Sequence, residues 1–475
     1  MNNFWDSDVW GLVMLVAMLL ISLIVANMIK RSIPFLKRSL IPTSVMAGLI
    51  LLTISIIYGA FNEGKNIFDT ELFGGYGSSA LEIITYHCLA LGFIATTFKP
   101  RSEAFSKKRS VEIFNTGVTT VATYLIQAVV GMVITIIAAL IMKDFFSAAG
   151  ILLPFGYGQG TGQAMNYGTI YEIEHGFEGG KSFGLTIAAL GFLSASLGGV
   201  IHLNIIKKKK KLDISKDEGC EKELSGFEVQ GADEIPMNGS MDKMSVQLAF
   251  IFVAYAITYG VMFLLGELIP GLKSVIYGFN FLFGVLITIA ICAVIRKLRQ
   301  KNIIHRQYIN VFLMKRIGGV FFDLMVVAGI AAIRLDVLTR YWLIILILGV
   351  AGLFITYFYN YYIAKKFFPD YTEEQFLAMY GMLTGTASTG VILLRELDPD
   401  LSSPAADNLV YQNLPAMIFG FPMMILATLA PVKPILTLII LVAFFIVMNI
   451  ILFRRYIFCR KKDGLKKARK NKSKR

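Results

Sequence analysis

Charged residues are scarce in this chain of 475 residues: Asp, Glu, Lys and Arg together make up 16%, whereas hydrophobic residues make up 56%. Soluble globular proteins carry about a quarter charged residues, so this composition excludes an ordinary soluble globule. Apolar runs of roughly 20 residues recur along the chain, and each is long enough to cross a hydrocarbon core about 30 Å thick as a helix. The sequence therefore predicts an all-α polytopic membrane protein.

Cysteine and histidine are equally scarce, with four residues of each type. The cysteines are far apart along the chain, which excludes a disulfide framework and a CxxC metal site. No HExxH or GxSxG motif occurs, and the run at 176–182 has one residue too few to be a phosphate-binding loop. These absences argue against an enzyme and against a bound cofactor.

Eleven apolar runs predict membrane-spanning helices: 9–29, 42–60, 80–98, 117–142, 181–205, 246–266, 271–294, 318–336, 341–363, 407–430 and 433–453. Two further segments are interrupted by glycines and small polar residues, hairpin one at 147–168 and hairpin two at 376–395. Two arms of about nine residues each extend only about 13 Å, which is half of a crossing. We predict that both segments are re-entrant hairpins, whose non-helical backbone is buried within the protein.

The basic residues indicate the orientation. With the N-terminus outside, the predicted cytoplasmic segments hold 39 of the 46 Lys and Arg residues. This positive-inside bias predicts a multi-pass protein of the cytoplasmic membrane, with the charged linker 206–245 and the tail 454–475 inside. The tail holds twelve basic residues against the single acidic Asp463, so most of the net charge of +14 lies there. The charge therefore gives no indication of a nucleic-acid partner.

The linker separates two halves with the same plan. Residues 1–205 contain five spans with hairpin one between the fourth and fifth, and residues 246–431 contain five spans with hairpin two in the same place. Residues 432–453 add one extra helix. An odd number of spans in each half makes the second half inverted relative to the first. Inverted repeats with interrupted segments at matching positions are typical of secondary transporters, which bind substrate where those segments meet.

Glycine and neutral polar residues fill both hairpins, which read GYGQGTGQAMNYG at 156–168 and GMLTGTASTG at 381–390. Glycine allows a ligand to approach the backbone, and Thr, Ser and Gln supply neutral donors and acceptors. Broken helices also expose N–H groups that suit a carboxylate and carbonyl groups that suit Na+. The alternative is that small residues only allow close helix packing, but the paired positions in the two halves favour a binding site.

These segments resemble the sodium/glutamate symporter family. GYGQGTGQAMNYG, with the later LGGVIHL, is similar to the family's first hairpin, GMLTGTASTGVILL to its second, and residues 32–48 to its FLKK-x-x-IP stretch. The resemblance covers about residues 5–430. It implies Na+-coupled uptake of glutamate or a related anionic amino acid by a homodimer, with Na+ as the coupling ion and no other cofactor.

The resemblance also implies substrate-binding residues in the two hairpins, namely Gln159, Gly160, Thr161, Gly162, Thr384, Gly385, Thr386, Ser388 and Thr389. Members associated with glutamate have His-Gly-Thr-Gly-Ala-Ala-Trp in the first hairpin, so this chain departs at Gln159, Gln163 and Met165. A proline expected near residue 387 or 388 is also missing. We include Gln163 among the candidate substrate ligands, and the hydroxyls of Thr161, Thr386 and Ser388 as candidate Na+ ligands.

Ionisable and amide side chains at membrane depth supply further candidates. Arg395 can clamp a carboxylate, or it can pair with Glu396 and Asp398. His87 and Asp323 occupy the third spans of the two halves, and we predict ion coupling at these residues and at Gln412 and Asn413. For His87 the alternative is a neutral imidazole bonded to a neighbouring helix, and for Asp323 it is an ion pair with Arg316. Further candidates for the cavity lining are Asn115, Thr116, Tyr124 and Gln127.

Two other functions stay open at this point. The same architecture can carry another small organic anion, such as a hydroxycarboxylate or a dicarboxylate, coupled to Na+ or to H+ through Asp323 or His87. A membrane enzyme or regulatory scaffold is disfavoured, because the sequence shows no nucleophile paired with a base and no sizeable soluble domain.

Overall fold

The computed structural model describes residues 4–34, 36, 40–62, 64–98, 106–143, 145–210, 242–270, 273–303, 308–398 and 403–472. The side chains of 8, 207–210, 274, 275, 335–338, 388, 414 and 455–472 lie outside this description. Helices make up 87% of the structure, and the described residues contain no β-strand. The all-α prediction is therefore confirmed.

Seventeen α-helices are described, numbered here in chain order. They are α1 (Ser7–Ser32), α2 (Thr43–Phe61), α3 (Gly77–Thr97), α4 (Lys107–Ile141), α5 (Leu152–Gln159), α6 (Thr161–His175), α7 (Gly180–Lys210), α8 (Lys243–Leu268), α9 (Lys273–Gly278), α10 (Asn280–Gln300), α11 (Val311–Ala331), α12 (Leu335–Phe367), α13 (Thr372–Thr384), α14 (Ala387–Arg395), α15 (Pro404–Tyr411), α16 (Asn413–Leu429) and α17 (Pro434–Lys472).

Nine of these described helices are long and apolar enough to cross a membrane: α1, α2, α3, α4, α7, α8, α10, α12 and α17. Helix α15 and the part of α16 from Pro415 onward form a tenth candidate, which is bent by 44°. The helices are thus compatible with a polytopic membrane protein. The inverted repeat of five plus five spans with one extra helix stays a prediction.

Three of the eleven predicted spans differ in the structure. The run at 318–336 corresponds to α11, which is not among the nine because it carries Lys315, Arg316 and Asp323. The run at 271–294 is divided between α9 and α10, with a break at Phe279. The run at 407–430 is divided between α15 and α16. Apolar composition therefore located these segments without locating the breaks inside them.

The predicted linker and tail fall partly outside the description. Residues 211–241 and 473–475 are not described. At the borders of the linker, α7 continues to Lys210 and α8 begins at Lys243. Helix α17 continues from the predicted extra span into the basic tail as far as Lys472.

The chain divides into two compact units that interleave along the sequence. Unit 1 consists of Met1–Ala104, Thr161–Ala189 and Val200–Thr339, and unit 2 consists of Phe105–Gly160, Leu190–Gly199 and Arg340–Arg475. In unit 1, α3 packs against α10 and α11, α2 packs against α11, and α6 packs against α3 and α11. Its core includes Leu91 and Ile94 of α3, Ile251 of α8 and Met314 of α11.

Unit 2 is organised around the long helix α4, which packs against α5, α16 and α17. The two arms of hairpin two, α13 and α14, meet at glycines: a Cβ on Gly381 would lie 2.8 Å from the Cα of Gly390. Small residues allow helices to approach closely in this way. A second core includes Met379, Leu383 and Leu394 from these arms and Leu409 of α15.

Candidate functional site

Hairpin one is broken at a single residue. Helix α5 ends at Gln159, Gly160 has φ 80° and ψ −172°, and α6 begins at Thr161. This φ lies in the region that only glycine adopts without strain. The break lies within the predicted segment 147–168, but the second arm continues to His175. Gly160 therefore separates the carbonyl end of α5 from the N–H end of α6.

Hairpin two is broken by the pair Gly385 and Thr386. Helix α13 ends at Thr384, and α14 begins at Ala387 after an extended Thr386. Thr384 and Thr389 are fully buried. The hydroxyl oxygens of Thr386 and Thr389 are 3.3 Å apart, and the hydroxyl of Thr384 donates to the Tyr380 carbonyl at 2.6 Å. Ser388 lies in α14, and its side chain is outside the description.

The two breaks meet inside unit 2. A Cβ on Gly160 would lie 3.3 Å from Cγ2 of Thr386 and 3.8 Å from the carbonyl oxygen of Gly385. The structure therefore brings together residues from two segments that the sequence singled out independently. Gln159 precedes this contact at the end of α5 and is partly buried.

Buried polar side chains support both breaks within unit 2. Tyr124 donates to the carbonyl of Gly158 at 3.0 Å, one turn or less from the end of α5. Gln127 donates from Nε2 to the carbonyl of Leu383 at 3.0 Å and to Oγ1 of Thr356 at 2.7 Å. Oε1 of Gln127 is buried and has no hydrogen-bond partner among the described residues. Both residues were predicted only as cavity lining, and the structure assigns them specific backbone contacts.

The other three residues predicted for hairpin one lie in unit 1, in the first turn of α6. Thr161 is fully buried, and its hydroxyl oxygen is 3.5 Å from the Met325 carbonyl oxygen. A Cβ on Gly162 would lie 2.8 Å from Leu89. Gln163 is 1% exposed, and neither of its amide atoms has a hydrogen-bond partner in the described part of the chain. The first turn of α6 thus combines close packing with an unsatisfied polar group.

The two ionisable candidates for coupling both have neighbours on other helices of unit 1. His87 is exposed, and its Nδ1 is 2.7 Å from the hydroxyl of Tyr255 on α8. Asp323 is exposed on α11, and Ser44 of the neighbouring helix α2 is a polar neighbour of its carboxyl group. The predicted pairing of Asp323 with Arg316 is not found among the described ion pairs; Arg316 lies over the ring of Phe312, 5.3 Å from its centre.

Gln412 contacts the last turn of α13, where its Nε2 is 3.2 Å from Sδ of Met382, whereas Arg395 lies away from the breaks. Gln412 accepts a hydrogen bond from Thr120 at 2.7 Å and donates to Oδ1 of the exposed Asn413. Arg395 is exposed at the far end of α14, about 12 Å along the helix from its first residue. It makes no ion pair with the neighbouring acidic residues in the part that the structure describes. The structure therefore does not place Arg395 near the breaks at Gly160 and Gly385.

A partly buried polar cluster that the sequence did not reveal lies beside the start of α13 and is here called the Glu112 cluster. Its members are Arg109 and Glu112 of α4, Tyr371 immediately before α13, Gln375 in α13, and Asn408 of α15. Arg109 pairs with Oε2 of Glu112 at 2.7 Å, and Asn408 donates to Oε1 of Gln375 at 2.9 Å. Only the i,i+3 spacing of Arg109 and Glu112 was visible in the sequence, because the other members come from distant segments.

Within the described residues, no group of three or more His, Cys, Asp or Glu side chains is placed to hold a metal ion. A scan of the chain against protein-family models gives no match, and a search of curated protein sequences gives no significant match.

Proposed function

We propose that this protein is a secondary transporter of the sodium/glutamate symporter family, which carries glutamate or a related anionic amino acid with Na+ across the cytoplasmic membrane. The observation that supports this function is the contact between the Gly160 break and the Thr386 break in unit 2. Breaks in helices expose backbone groups that an apolar surrounding cannot satisfy, and such breaks are tolerated where they bind a ligand or line a wet cavity.

The two ends of a broken helix suit the two charges that a symporter carries. The carbonyl ends of α5 and α13 bear partial negative charge and suit Na+, together with hydroxyls such as those of Thr386 and Ser388. The N–H ends of α6 and α14 bear partial positive charge and suit a carboxylate. Coupling follows because moving one charge alone through a low-dielectric region is costly, whereas Na+ and the anion together carry less net charge.

Uptake into proteoliposomes tests this function. We expect an inward Na+ gradient to drive accumulation of L-glutamate or L-aspartate, and replacement of Na+ by K+ to abolish it. Thr386→Ala should weaken the apparent affinity for Na+. The control is Thr53→Ala, because Thr53 bonds only the Leu49 carbonyl of its own helix and is exposed. No uptake of any acidic amino acid or dicarboxylate under an inward Na+ gradient would contradict the proposal.

The orientation belongs to the same proposal. With the N-terminus outside, Lys65 lies in an external loop and Lys301 in a cytoplasmic one. In a cysteine-free background, we expect a membrane-impermeant maleimide added to intact cells to label Lys65→Cys and to leave Lys301→Cys unlabelled until the cells are permeabilised. The reverse labelling pattern would invert the assignment.

Transport of another organic anion, driven by H+, is the second candidate. The position of Asp323 favours it, because this carboxyl is exposed on a largely apolar helix and makes no ion pair with another described residue. Intramembrane carboxyls commonly mark proton pathways. This candidate is favoured if uptake continues without Na+, depends on a pH gradient and is lost in Asp323→Asn. It is also favoured if malate or citrate competes for uptake and glutamate does not.

A further inference from the structure

The N-terminal turn of α6 has an excess of hydrogen-bond donors. The N–H groups of the first three residues, Thr161, Gly162 and Gln163, have no acceptor within the helix. No other acceptor bonds them among the described residues. Because the helix dipole also places partial positive charge at this end, the turn suits an anion.

Gln163 provides an independent indication of a ligand at the same turn. Its side chain is 1% exposed, and both Nε2 and Oε1 lack a partner in the described structure. Side chains on a helix lean toward its N-terminus. The Gln163 amide therefore lies over the first turn of α6, where the N–H groups without acceptors are.

A buried amide without partners is costly, since each unpaired polar group loses its hydration without a replacement. Apolar atoms pack against this turn: a Cβ on Gly162 would lie 2.8 Å from Cδ1 of Leu89, and a Cβ on Gly329 would lie 2.9 Å from Cβ of Thr161. The amide offers two donor hydrogens and one acceptor. A carboxylate can use the donors, but only a ligand that also carries a donor can satisfy Oε1.

We infer that Gln163 determines substrate specificity, and that the substrate is a carboxylate with an ammonium or hydroxyl group on the adjacent carbon. The carboxylate binds the N–H groups of the α6 turn and Nε2 of Gln163, while Oε1 accepts the hydrogen bond from the neighbouring donor. This inference rests on the proposed function and narrows it. Simple dicarboxylates that lack such a donor leave Oε1 unpaired and bind more weakly.

Binding calorimetry on the full-length protein in lipid nanodiscs, at saturating NaCl, tests the inference. The probes are L-glutamate, 2-hydroxyglutarate and glutarate, which differ only in the group beside one carboxylate. We expect the wild type to bind L-glutamate and 2-hydroxyglutarate at least about tenfold more tightly than glutarate, the effect of one hydrogen bond that otherwise stays unmade. Gln163→Met, which keeps the size of the side chain, should lose this preference.

Gln247→Met is the matched control in unit 1. Gln247 is also buried, but its Nε2 donates to the Tyr308 carbonyl at 3.0 Å and its Oε1 accepts from the Asn310 N–H at 2.9 Å. We expect this variant to lower the Tm of the ligand-free protein and to retain the preference for L-glutamate. Gln163→Met should leave the ligand-free Tm unchanged or raise it, because it removes an unsatisfied amide.

The outcomes separate the inference from the proposed function. If the wild type binds L-glutamate and Gln163→Met keeps the preference over glutarate, the specificity role is wrong and the transporter proposal stands. A fall in the ligand-free Tm as large as that of Gln247→Met would show that the amide is satisfied by water, which also contradicts the inference. If the wild type binds none of the three probes in NaCl, both proposals fail.

Discussion

The hydroxyl of Tyr371 donates a hydrogen bond to Oε2 of Glu112, with 3.0 Å between the two oxygens, and so joins positions that are 259 residues apart. Arg109 contacts the same carboxylate oxygen at 2.7 Å. Asn408 donates to the Tyr371 oxygen at 3.0 Å, which fixes the direction of the chain of bonds from Asn408 through Tyr371 to Glu112. The start of hairpin two is thereby held to α4 and α15 within unit 2.

Glu112→Gln should lower the free energy of unfolding by about 2 kcal/mol, because hydrogen bonds to a partly buried charged group contribute about 1.5–3 kcal/mol. The side chains of Arg109 and Glu112 are 19% and 13% exposed, so solvent screens their interaction only in part. Thermal unfolding of the purified protein measures the change. The control is Asp370→Asn, which breaks the ion pair with Lys108.

That neighbouring pair has side chains 73% and 71% exposed. Exposed ion pairs contribute little, so we expect Asp370→Asn to change the free energy of unfolding by less than about 0.5 kcal/mol. Equal destabilisation by Glu112→Gln and Asp370→Asn would contradict a structural role for the Glu112 cluster.

Tyr371→Phe should lose stability in a pH-dependent manner. Burial raises the pKa of the Tyr371 hydroxyl above its ordinary value, although its hydrogen bond with Asn408 acts in the opposite direction. The folded protein therefore holds this proton more tightly than the unfolded chain does. The resulting stabilisation is complete below the unfolded pKa of about 10 and declines as the pH rises above it. Unfolding at pH 8 and pH 10.5 measures the difference between wild type and variant.

We expect the difference in free energy of unfolding between wild type and Tyr371→Phe to be larger at pH 8 than at pH 10.5. The phenylalanine variant has no proton to lose at this position, and all other titrating groups are common to both proteins. If this difference stays constant or increases from pH 8 to pH 10.5, the Tyr371 hydroxyl does not stabilise the fold through its bound proton.

Gly160→Ala should disturb the contact between the two breaks. A side chain at φ 80° and ψ −172° costs about 1–3 kcal/mol, and the new Cβ would lie 3.3 Å from Cγ2 of Thr386. We expect reduced substrate uptake, with partial recovery in the double variant Gly160→Ala/Thr386→Ser, which removes that methyl group. The double variant relieves the close contact but not the backbone strain, so full recovery is not expected.

Gly260→Ala is the control for the glycine substitution. Gly260 lies in α8, and a Cβ there has no atom within 4 Å. Alanine favours a helix over glycine by up to about 1 kcal/mol, so this variant should retain uptake and keep or gain stability. Unchanged uptake in Gly160→Ala would contradict a functional contact at the breaks.

Helix positions were predictable to the extent that apolar composition marks them. The runs at 9–29 and 42–60 match α1 and α2 closely, because these segments are mainly apolar and contain no charged residue. For α11, composition located the run at 318–336 but not the start of the helix at Val311, because Lys315 and Arg316 precede that run. Composition also cannot show the break at Phe279 between α9 and α10. A break depends on backbone angles and on the neighbours that satisfy the freed groups, and neither is local in the sequence.

The sequence indicated the residue types at the candidate site but not the hydrogen-bond partners of these residues. Glycine and threonine runs located both hairpins, and the structure places the breaks at Gly160 and Gly385 within them. The sequence could not show that Gln127 bonds the Leu383 carbonyl, because 256 residues separate the two positions. The sequence also placed Arg395 among the candidate substrate ligands, together with residues at the breaks. In the structure Arg395 is the last residue of α14, whereas the break precedes the first residue of this helix.

Gln127→Met should impair transport more than it impairs folding. Gln127 supplies the donor for the Leu383 carbonyl, which lies in the last turn of α13 and has no partner within the helix. Removing this donor leaves a buried carbonyl unpaired two residues before the Gly385 break, at a cost of about 1–3 kcal/mol. We expect an altered KM for substrate and a lower maximal uptake rate, together with a lower Tm. Radiolabelled uptake and thermal unfolding measure these quantities.

Thr356→Val distinguishes a role of Gln127 in positioning the break of hairpin two from a role in the stability of unit 2. It removes the other acceptor of Gln127, at 2.7 Å, but leaves the bond to the Leu383 carbonyl in place. Because Nε2 of Gln127 then loses one of two acceptors, we expect a fall in Tm similar to that of Gln127→Met. KM and the maximal uptake rate should stay near the wild-type values, since the last turn of α13 keeps its donor. Equal loss of uptake in the two variants would mean that Gln127 acts only through the stability of unit 2, and not by positioning the break in hairpin two.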